Sequence, residues 1–312
     1  MSLPNAAGQT SDQTAPDSNI LISLVVATFR RTTEFEAMLT SMLAQTERRF
    51  ELIIVDQNKD DRLVPLVAPA IAAGIRVKHL RLAATGATTA RNAGLEHASS
   101  ELVAFPDDDC WFEADVVARA VHYFSVNQGV AGVIGHWVEN DPLGKRQHAS
   151  LSRAAWRRFK GGDAACFALF FRTRQLRELG GFSEMLGPGR YFSCAEEEDL
   201  IFRLLDAGAQ IDYVPGIDIH HPVTDVPELT PQRRSRSRLY GRGTGAVQAK
   251  HHMPAWVIAR GLVGPLYHGA RSARPAAGMV LGAYTIWGRI EGLAGWWLWG
   301  RRQAQNNSSS PR

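Results

Sequence analysis

Residues 20–28 read ILISLVVAT, an apolar run interrupted only by Ser23 and Thr28. A strand with one wet face alternates apolar and polar residues. A run without alternation is expected where both faces are covered, as in a parallel sheet. Phe29-Arg30-Arg31-Thr32 ends it. Apolar residues then recur at Phe35, Met38, Leu39, Met42 and Leu43, the spacing of one helix face. The pattern repeats. Residues 50–55 (FELIIV) predict a second strand that stops at Asp56. Residues 61–74 predict a poor helix carrying Pro65 and Pro69, residues 75–80 a short third strand, and residues 85–98 a helix weakened by Gly86 and Gly94. Strand and helix alternating three times predict βαβ units with right-handed crossovers, hence an α/β fold.

A fourth strand, Leu102 to Phe105, runs into Pro106-Asp107-Asp108-Asp109-Cys110-Trp111. Adjacent carboxylates repel one another and resist desolvation. At the C-terminal end of a strand, where open α/β sheets bind ligands, they need a compensating cation. Taken alone, the triplet suits a solvated acidic turn as well as a divalent metal held through oxygen and bridging to a phosphate. The loops after the first, second and fourth strands carry Arg30, Asp56 and Asp107 to Asp109 to one edge of the sheet. No GxGxxG follows the first strand, so the dinucleotide fingerprint is absent and a mononucleotide stays open.

Farther on, residues 113–127 predict a helix and 130–139 a strand. Residues 140–162 are polar, basic and irregular. Residues 166–171 predict another strand, and 173–179 a short helix stopped by Gly180-Gly181. A turn-rich loop with Gly187, Pro188, Gly189 and Ser193 leads to a helix over 195–207. Short strands over 210–214 and 217–219 then lead to His220-His221-Pro222.

Composition restricts the classes. With 45% hydrophobic and 21% charged residues, the 312-residue chain can build a sizeable core. Three scattered cysteines without a CxxC pair argue for a reducing compartment and against zinc. The N-terminus lacks the order of a signal peptide, and no apolar run reaches spanning length. The net charge of +4 is unevenly spread. Beyond Pro231, arginines such as Arg233, Arg234, Arg236, Arg238, Arg242 and Arg260 accompany Trp256, Trp287, Trp296, Trp297 and Trp299. Basic residues beside a Trp-rich apolar surface describe a helix lying on anionic lipid, with Arg271, Arg274 and Arg289 toward the headgroups. The alternative is a helical cap whose tryptophans are core. The expected domains are a disordered tail over 1–18, an α/β domain over 19–228, a basic helical extension over 229–302 and a second tail over 303–312.

Glu196-Glu197-Glu198-Asp199 opens a predicted helix. Acids in a first turn suit the helix dipole, and Asp199 with Arg203 is an ordinary i,i+4 pair. Four in a row exceed that need, and one can act as a general base. Glu196 shares the face of Asp199 and Arg203, whereas Glu197 points about 100° away. Glu197 is therefore preferred, with Glu196 and Asp199 left open. A histidine after a strand is commonly a satisfied polar residue. Beside an acidic cluster it is also a candidate metal ligand, and His220 is the one assigned.

Taken in order, the segments Val25-Val26-Ala27-Thr28-Phe29-Arg30-Arg31, Ile53-Ile54-Val55-Asp56-Gln57-Asn58, Ala90-Arg91-Asn92-Ala93-Gly94, Phe105-Pro106-Asp107-Asp108-Asp109, Gly180-Gly181-Phe182-Ser183-Glu184 and Glu196-Glu197-Glu198-Asp199-Leu200 resemble the inverting bacterial family 2 glycosyltransferases of the GT-A fold. Tyr240-Gly241-Arg242-Gly243 and Gly288-Arg289-Ile290-Glu291-Gly292 resemble the C-terminal region of bacterial members. The resemblance implies a GT-A nucleotide-diphospho-sugar transferase fold, with a mainly parallel central sheet flanked by helices and a C-terminal helical extension. It implies metal-dependent transfer of a sugar from a nucleoside-diphosphate sugar to an acceptor hydroxyl, in polysaccharide or lipid-linked glycan synthesis. Thr28 and Arg30 then border the nucleotide, Asp56 contacts the base, and Arg91 and Asp108 belong to the donor site. Asp109 binds Mg²⁺ or Mn²⁺ on the diphosphate, and Asp107 faces the ribose or the metal. Glu197 falls at the base position. Phe29-Arg30-Arg31 stands where Asn-Arg is usual, and Gln57 where a second Asp is common.

The expected partners are the donor, a glycan or lipid-linked acceptor and an anionic membrane surface, not nucleic acid. The expected location is cytoplasmic, peripheral on the inner face of the membrane. A nucleotidyltransferase would want a glycine-rich loop after the first strand, which is missing. A catalytically silent nucleotide-sugar-binding protein docked on the membrane would not need all of these acids.

Overall fold

The computed structural model describes residues 20–156, 164–223 and 228–300. The tails expected at 1–18 and 303–312 lie outside the described residues. The regular elements begin as β1 (Ile22–Thr28), α1 (Thr33–Leu43), β2 (Phe50–Asp56), α2 (Val64–Ala72), β3 (Arg76–Arg81) and α3 (Ala87–His97). Next come β4 (Leu102–Ala104), β5 (Trp111–Phe112), α4 (Val116–Val126), β6 (Val130–Trp137), β7 (Ala149–Ser150), α5 (Arg153–Trp156), β8 (Leu169–Arg172) and α6 (Thr173–Glu178). The series closes with α7 (Glu196–Asp206), β9 (Gln210–His220), α8 (Pro231–Lys250), α9 (Ala255–Ala270) and α10 (Pro275–Gly295).

The chain divides into two units. The first comprises Met1–Leu151, Ala164–Gly181 and Ala207–Val223 and holds every described strand. Its sheet has the order β3-β2-β1-β4-β8-β6-β9-β5, with β7 on β9. The pairs among β3, β2, β1 and β4 are parallel, so β1, β2 and β4 end at one edge. Beyond β4 the sheet is mixed: β8 runs antiparallel to both β4 and β6, and β6 and β9 are parallel. Leu24, Val25 and Val26 of β1 and Leu52, Ile53 and Ile54 of β2 are all fully buried. That is the two-sided burial their uninterrupted hydrophobicity demands. Gly94 has a packing role in α3. A Cβ there would lie 2.2 Å from Val25 Cγ1, so glycine lets the helix settle onto β1.

Three local expectations change. Cys166–Ala168 is a 3₁₀ turn, and only Leu169–Arg172 pairs as a strand. The two short strands over 210–214 and 217–219 are one strand. Gly216, at φ 86°, and register shifts against β6 absorb its irregular middle. The irregular stretch from 140 contains β7 and α5, and its residues 157–163 lie outside the described residues.

In the second unit, Ser152–Asp163, Phe182–Asp206 and Thr224–Arg312, the described regular elements are helices joined by loops. Helices α8 and α10 meet through glycines spaced four apart. A Cβ on Gly241 or Gly245 would lie 2.2 Å from the carbonyl oxygens of Thr285 or Arg289, and one on Gly292 2.0 Å from that of Arg242. Backbone therefore meets backbone. Arg289, expected toward lipid, is partly buried, and its Nη1 donates to the Gly261 carbonyl oxygen. Trp296 is buried, whereas Trp256, Trp287, Trp297 and Trp299 are exposed.

Candidate active site

Asp107, Asp108 and Asp109 follow β4 at the edge where β1 and β2 also end. Each carboxylate meets a cation. The Arg91 Nη2 from α3 donates to Asp107 Oδ1 at 2.7 Å. Arg31, from the loop after β1, donates through Nη1 to Asp108 Oδ1 at 2.7 Å and also pairs with Asp109. Burial pushes the Asp108 carboxyl above its usual range, against the pull of Arg31. Burial acts the same way on Asp109, but His221 and Arg31 overcome it and hold that carboxyl below its usual range.

The strand register chooses the histidine. In the β5–β9 pair, Trp111 lies opposite His220. Next along the chain, the His221 Nε2 lies 3.2 Å from Asp109 Oδ1. Phe167 stacks on the His221 ring at 4.6 Å, and the His221 amide donates to Glu139 Oε2 at 3.0 Å, which together fix its direction. Burial disfavours the imidazolium, but Asp109 more than compensates and raises the His221 pKa. His220, the residue expected to bind metal, is elsewhere engaged. Its Nδ1 and Nε2 lie 2.7 and 2.8 Å from Glu139 and Glu113 carboxylate oxygens, and Trp111 stacks on it at 5.2 Å.

Asp107, Asp109 and His221 offer ligand atoms within 4.8 Å of one another. Two carboxylates and an imidazole suit a divalent cation. The pairing of Asp109 with the Arg31 guanidinium and the His221 ring shows that these carboxylates favour positive charge at this point. The sequence reading took His220 rather than His221 because residues 220 and 221 are equivalent until the register is known. It also assigned no role to Arg31, although Arg31 lies in the Phe29-Arg30-Arg31 departure.

The remaining donor-side candidates lie on the neighbouring strand ends. Thr28 is buried at the end of β1. Arg30 is exposed, with φ 67°, and its amide donates to Asn58 Oδ1 at 2.7 Å. Asp56, expected at the base, is fully buried. Its Oδ1 accepts from the Asn58 amide and side chain, both at 2.8 Å, and its Oδ2 meets His79 at 2.9 Å and Arg81 at 3.2 Å. In this conformation Asp56 orders Asn58, which in turn holds the strained Arg30 backbone.

In the second unit, α7 carries the four acids in its first turn. Glu196, Glu198 and Asp199 are buried, and Glu197 is partly exposed. Asp199 is held by three basic groups: Arg203 Nε at 2.9 Å, Lys250 Nζ at 2.7 Å and His251 Nε2 at 2.7 Å. Burial alone would raise the Asp199 carboxyl. Lys250, His251 and Arg203 overcome this and hold it well below the usual carboxylate range.

The profile of Glycosyl transferase family 2 matches residues 23–180, half of the chain. The chain belongs to this family. Among bacterial relatives, putative glycosyltransferase EpsH of Bacillus subtilis is 32% identical over 94 residues, 30% of this chain and 27% of that one. The Escherichia coli UDP-Glc:alpha-D-GlcNAc-diphosphoundecaprenol beta-1,3-glucosyltransferase WfaP is 23% identical over 127 residues, 39% and 48% of the two chains. An uncharacterized glycosyltransferase of Rickettsia conorii, RC0461, is 27% identical over 106 residues, 34% of this chain and 17% of its own length. The family 2 chain thus spans less than half of each of these relatives. The mannosyltransferase PcManGT from Pyrobaculum calidifontis, in complex with GDP-Man and Mn²⁺, shares the fold with TM-score 0.64, 17% identity and 90% coverage of both chains. S. aureus TarS 1-349 in complex with UDP-GlcNAc does so with TM-score 0.56 and 15% identity, covering 86% of this chain and 90% of that one. The family 2 chain therefore has the α/β GT-A fold, with a C-terminal helical extension.

Proposed function

We propose that the protein moves a sugar from a nucleoside-diphosphate sugar to an acceptor hydroxyl by single displacement with inversion. The observation that carries this reading is the convergence of Asp107, Asp109 and His221 on one point at the strand ends. Those three residues would hold Mg²⁺ or Mn²⁺, which when bound offsets charge on the leaving diphosphate. Arg91 orients Asp107. Arg31 bridges Asp108 and Asp109 and is placed to turn its guanidinium to diphosphate oxygens, for which its planar fork is suited. Thr28, Arg30, Asp56 and Asp108 complete the donor side. Glu197 takes the proton from the acceptor hydroxyl, while Asp199 keeps the helix start in place. The GDP-Man and Mn²⁺ bound to PcManGT and the lipid-linked acceptor in the name of WfaP support a sugar nucleotide, a metal and a glycan or lipid-linked acceptor here.

The test is a screen of UDP- and GDP-sugars with the full chain and Mn²⁺, reading release of nucleoside diphosphate. One donor should be turned over, and EDTA should stop the reaction. A chain that neither binds nor turns over any of them sinks the reading.

We assign residues 19–228 to transfer and 229–302 to attachment at the cytoplasmic face of an anionic membrane. No described helix is long and apolar enough to cross a membrane. Helices α9 and α10 nevertheless expose Trp256, Val263, Tyr267, Met279 and Ile290 beside the exposed Arg271 and Arg274, the mixture of an interfacial surface. The double variant Arg271→Gln, Arg274→Gln should bind phosphatidylglycerol vesicles more weakly by up to about 30-fold, from about 1 kcal/mol per basic residue. Binding to phosphatidylcholine vesicles should barely change. Cosedimentation measures both, and equal binding by wild type and variant would remove the attachment role from these residues.

A further inference from the structure

The groove between α8 and α10 carries more positive charge than the helix contacts neutralise. Arg234, Arg238 and Arg242 recur every four residues, so they share one face of α8. Like charges at that spacing destabilise a helix unless something answers them. With Ser235 and Tyr284 they line a cleft of ≈ 380 Å³. That is within the range of small-ligand sites, about 300–1,000 Å³.

Among the described residues, one carboxylate reaches this row. Glu291 of α10 accepts from Arg238 Nε at 2.9 Å and from Arg242 Nη2 at 3.0 Å. Three guanidiniums and one carboxylate leave two positive charges. The row is also held in position. Arg238 lies over the Trp287 ring at 3.8 Å and Arg242 over the Tyr191 ring at 4.4 Å, so two of the forks are fixed by aromatic faces as well as by Glu291. Among the described residues, Arg234 meets no such carboxylate and its buried Nε has no hydrogen-bond partner. Two hydroxyls, on Ser235 and Tyr284, stand on the same walls. Pro231, the first residue of α8, lines the cleft too, which adds the positive end of the helix dipole.

We propose that this cleft binds a phosphate ester bearing two negative charges, a phosphomonoester or a diphosphate. A dianion balances the residual charge of the row. The planar Arg234 fork matches phosphate oxygens two at a time, Arg238 and Arg242 add positive charge while they hold Glu291, and the hydroxyls take the remaining acceptors. A membrane lipid headgroup and a soluble phosphate ester offer the same chemistry. The site is carried by the second unit alone and does not rest on the sugar-transfer reading.

The experiment titrates inorganic pyrophosphate into the full chain in EDTA, which removes metal-assisted phosphate binding elsewhere. Calorimetry compares wild type with Arg234→Gln and Ser235→Glu. Wild type should bind, and each variant should bind at least about tenfold more weakly, the loss of one charge-assisted contact or the gain of one repelling charge. Thermal midpoints and Mn²⁺-dependent UDP affinity should stay at wild-type values, since neither side chain supports the donor site. Both positions have solvent access, and two variants of opposite chemistry guard against a folding defect in either. Cosedimentation with phosphatidylcholine vesicles, plain or doped with phosphatidic acid, separates the sources. Recruitment to doped vesicles that falls in Arg234→Gln along with pyrophosphate affinity identifies a lipid phosphate. Unchanged recruitment with weakened pyrophosphate binding identifies a soluble ester. Absence of pyrophosphate binding in wild type, or equal affinity in the variants, overturns the proposal. A failed donor screen with this binding intact would count against sugar transfer only.

Discussion

Asp109→Ala is expected to abolish transfer, with a loss of at least about 10²–10³-fold, the scale of removing one electrostatic stabiliser of developing charge. Asp109 is one of two carboxylates in the candidate cation site, and it also engages Arg31 and His221. Its removal should weaken nucleoside diphosphate binding in Mn²⁺. In EDTA the sign should reverse or vanish, because a carboxylate that repels the diphosphate is gone while Arg31 remains paired with Asp108 alone. Calorimetry with UDP or GDP in each buffer, beside turnover, reads both effects. Undiminished turnover by the variant, or wild-type activity indifferent to EDTA, would show that the acidic triplet does not work through a metal.

Glu197→Gln and Asp199→Asn should fail in different ways. Glu197 is the partly exposed acid of the four, and replacing a general base typically costs about 10²–10⁴-fold. Glu197→Gln should therefore lose most turnover while keeping donor affinity and wild-type stability. Asp199 is the buried counter-charge of Lys250 and Arg203. Asp199→Asn leaves those cations without it and should cost about 3–5 kcal/mol, the usual penalty for breaking a buried pair. The pH dependence follows from the direction of its shift. The folded carboxyl titrates below the unfolded one, so its contribution is present above about pH 4 and is lost as the pH falls toward the folded value. The gap in urea midpoint between wild type and Asp199→Asn should therefore be wide at about pH 7 and narrower at about pH 3. If Asp199→Asn is stable, binds donor and is inactive while Glu197→Gln turns over normally, the base is Asp199.

Much of the first unit is legible in local pattern. The uninterrupted hydrophobicity of Ile22–Thr28 and Phe50–Asp56 states two-sided burial, and helical spacing between strands states parallel connections. Those features depend on neighbours within a few residues, so sequence alone determines them. It also determines that three carboxylates follow β4, at the sheet edge where β1 and β2 end.

Only the tertiary structure decides which side chains meet them. His220 and His221 are adjacent and chemically identical. The pairing of Trp111 with His220 turns one toward Glu113 and Glu139 and leaves the other to Asp109. Asp56 reads as an accessible acid at a strand end, yet His79, Arg81 and Asn58 enclose it. Arg289 reads as a surface cation, yet glycine-mediated contact between α8 and α10 leaves it partly buried and bonded to Gly261. Strand register and helix approach join residues far apart in the chain. A shift of one residue in a strand changes the face of every side chain, so local periodicity carries no record of the choice.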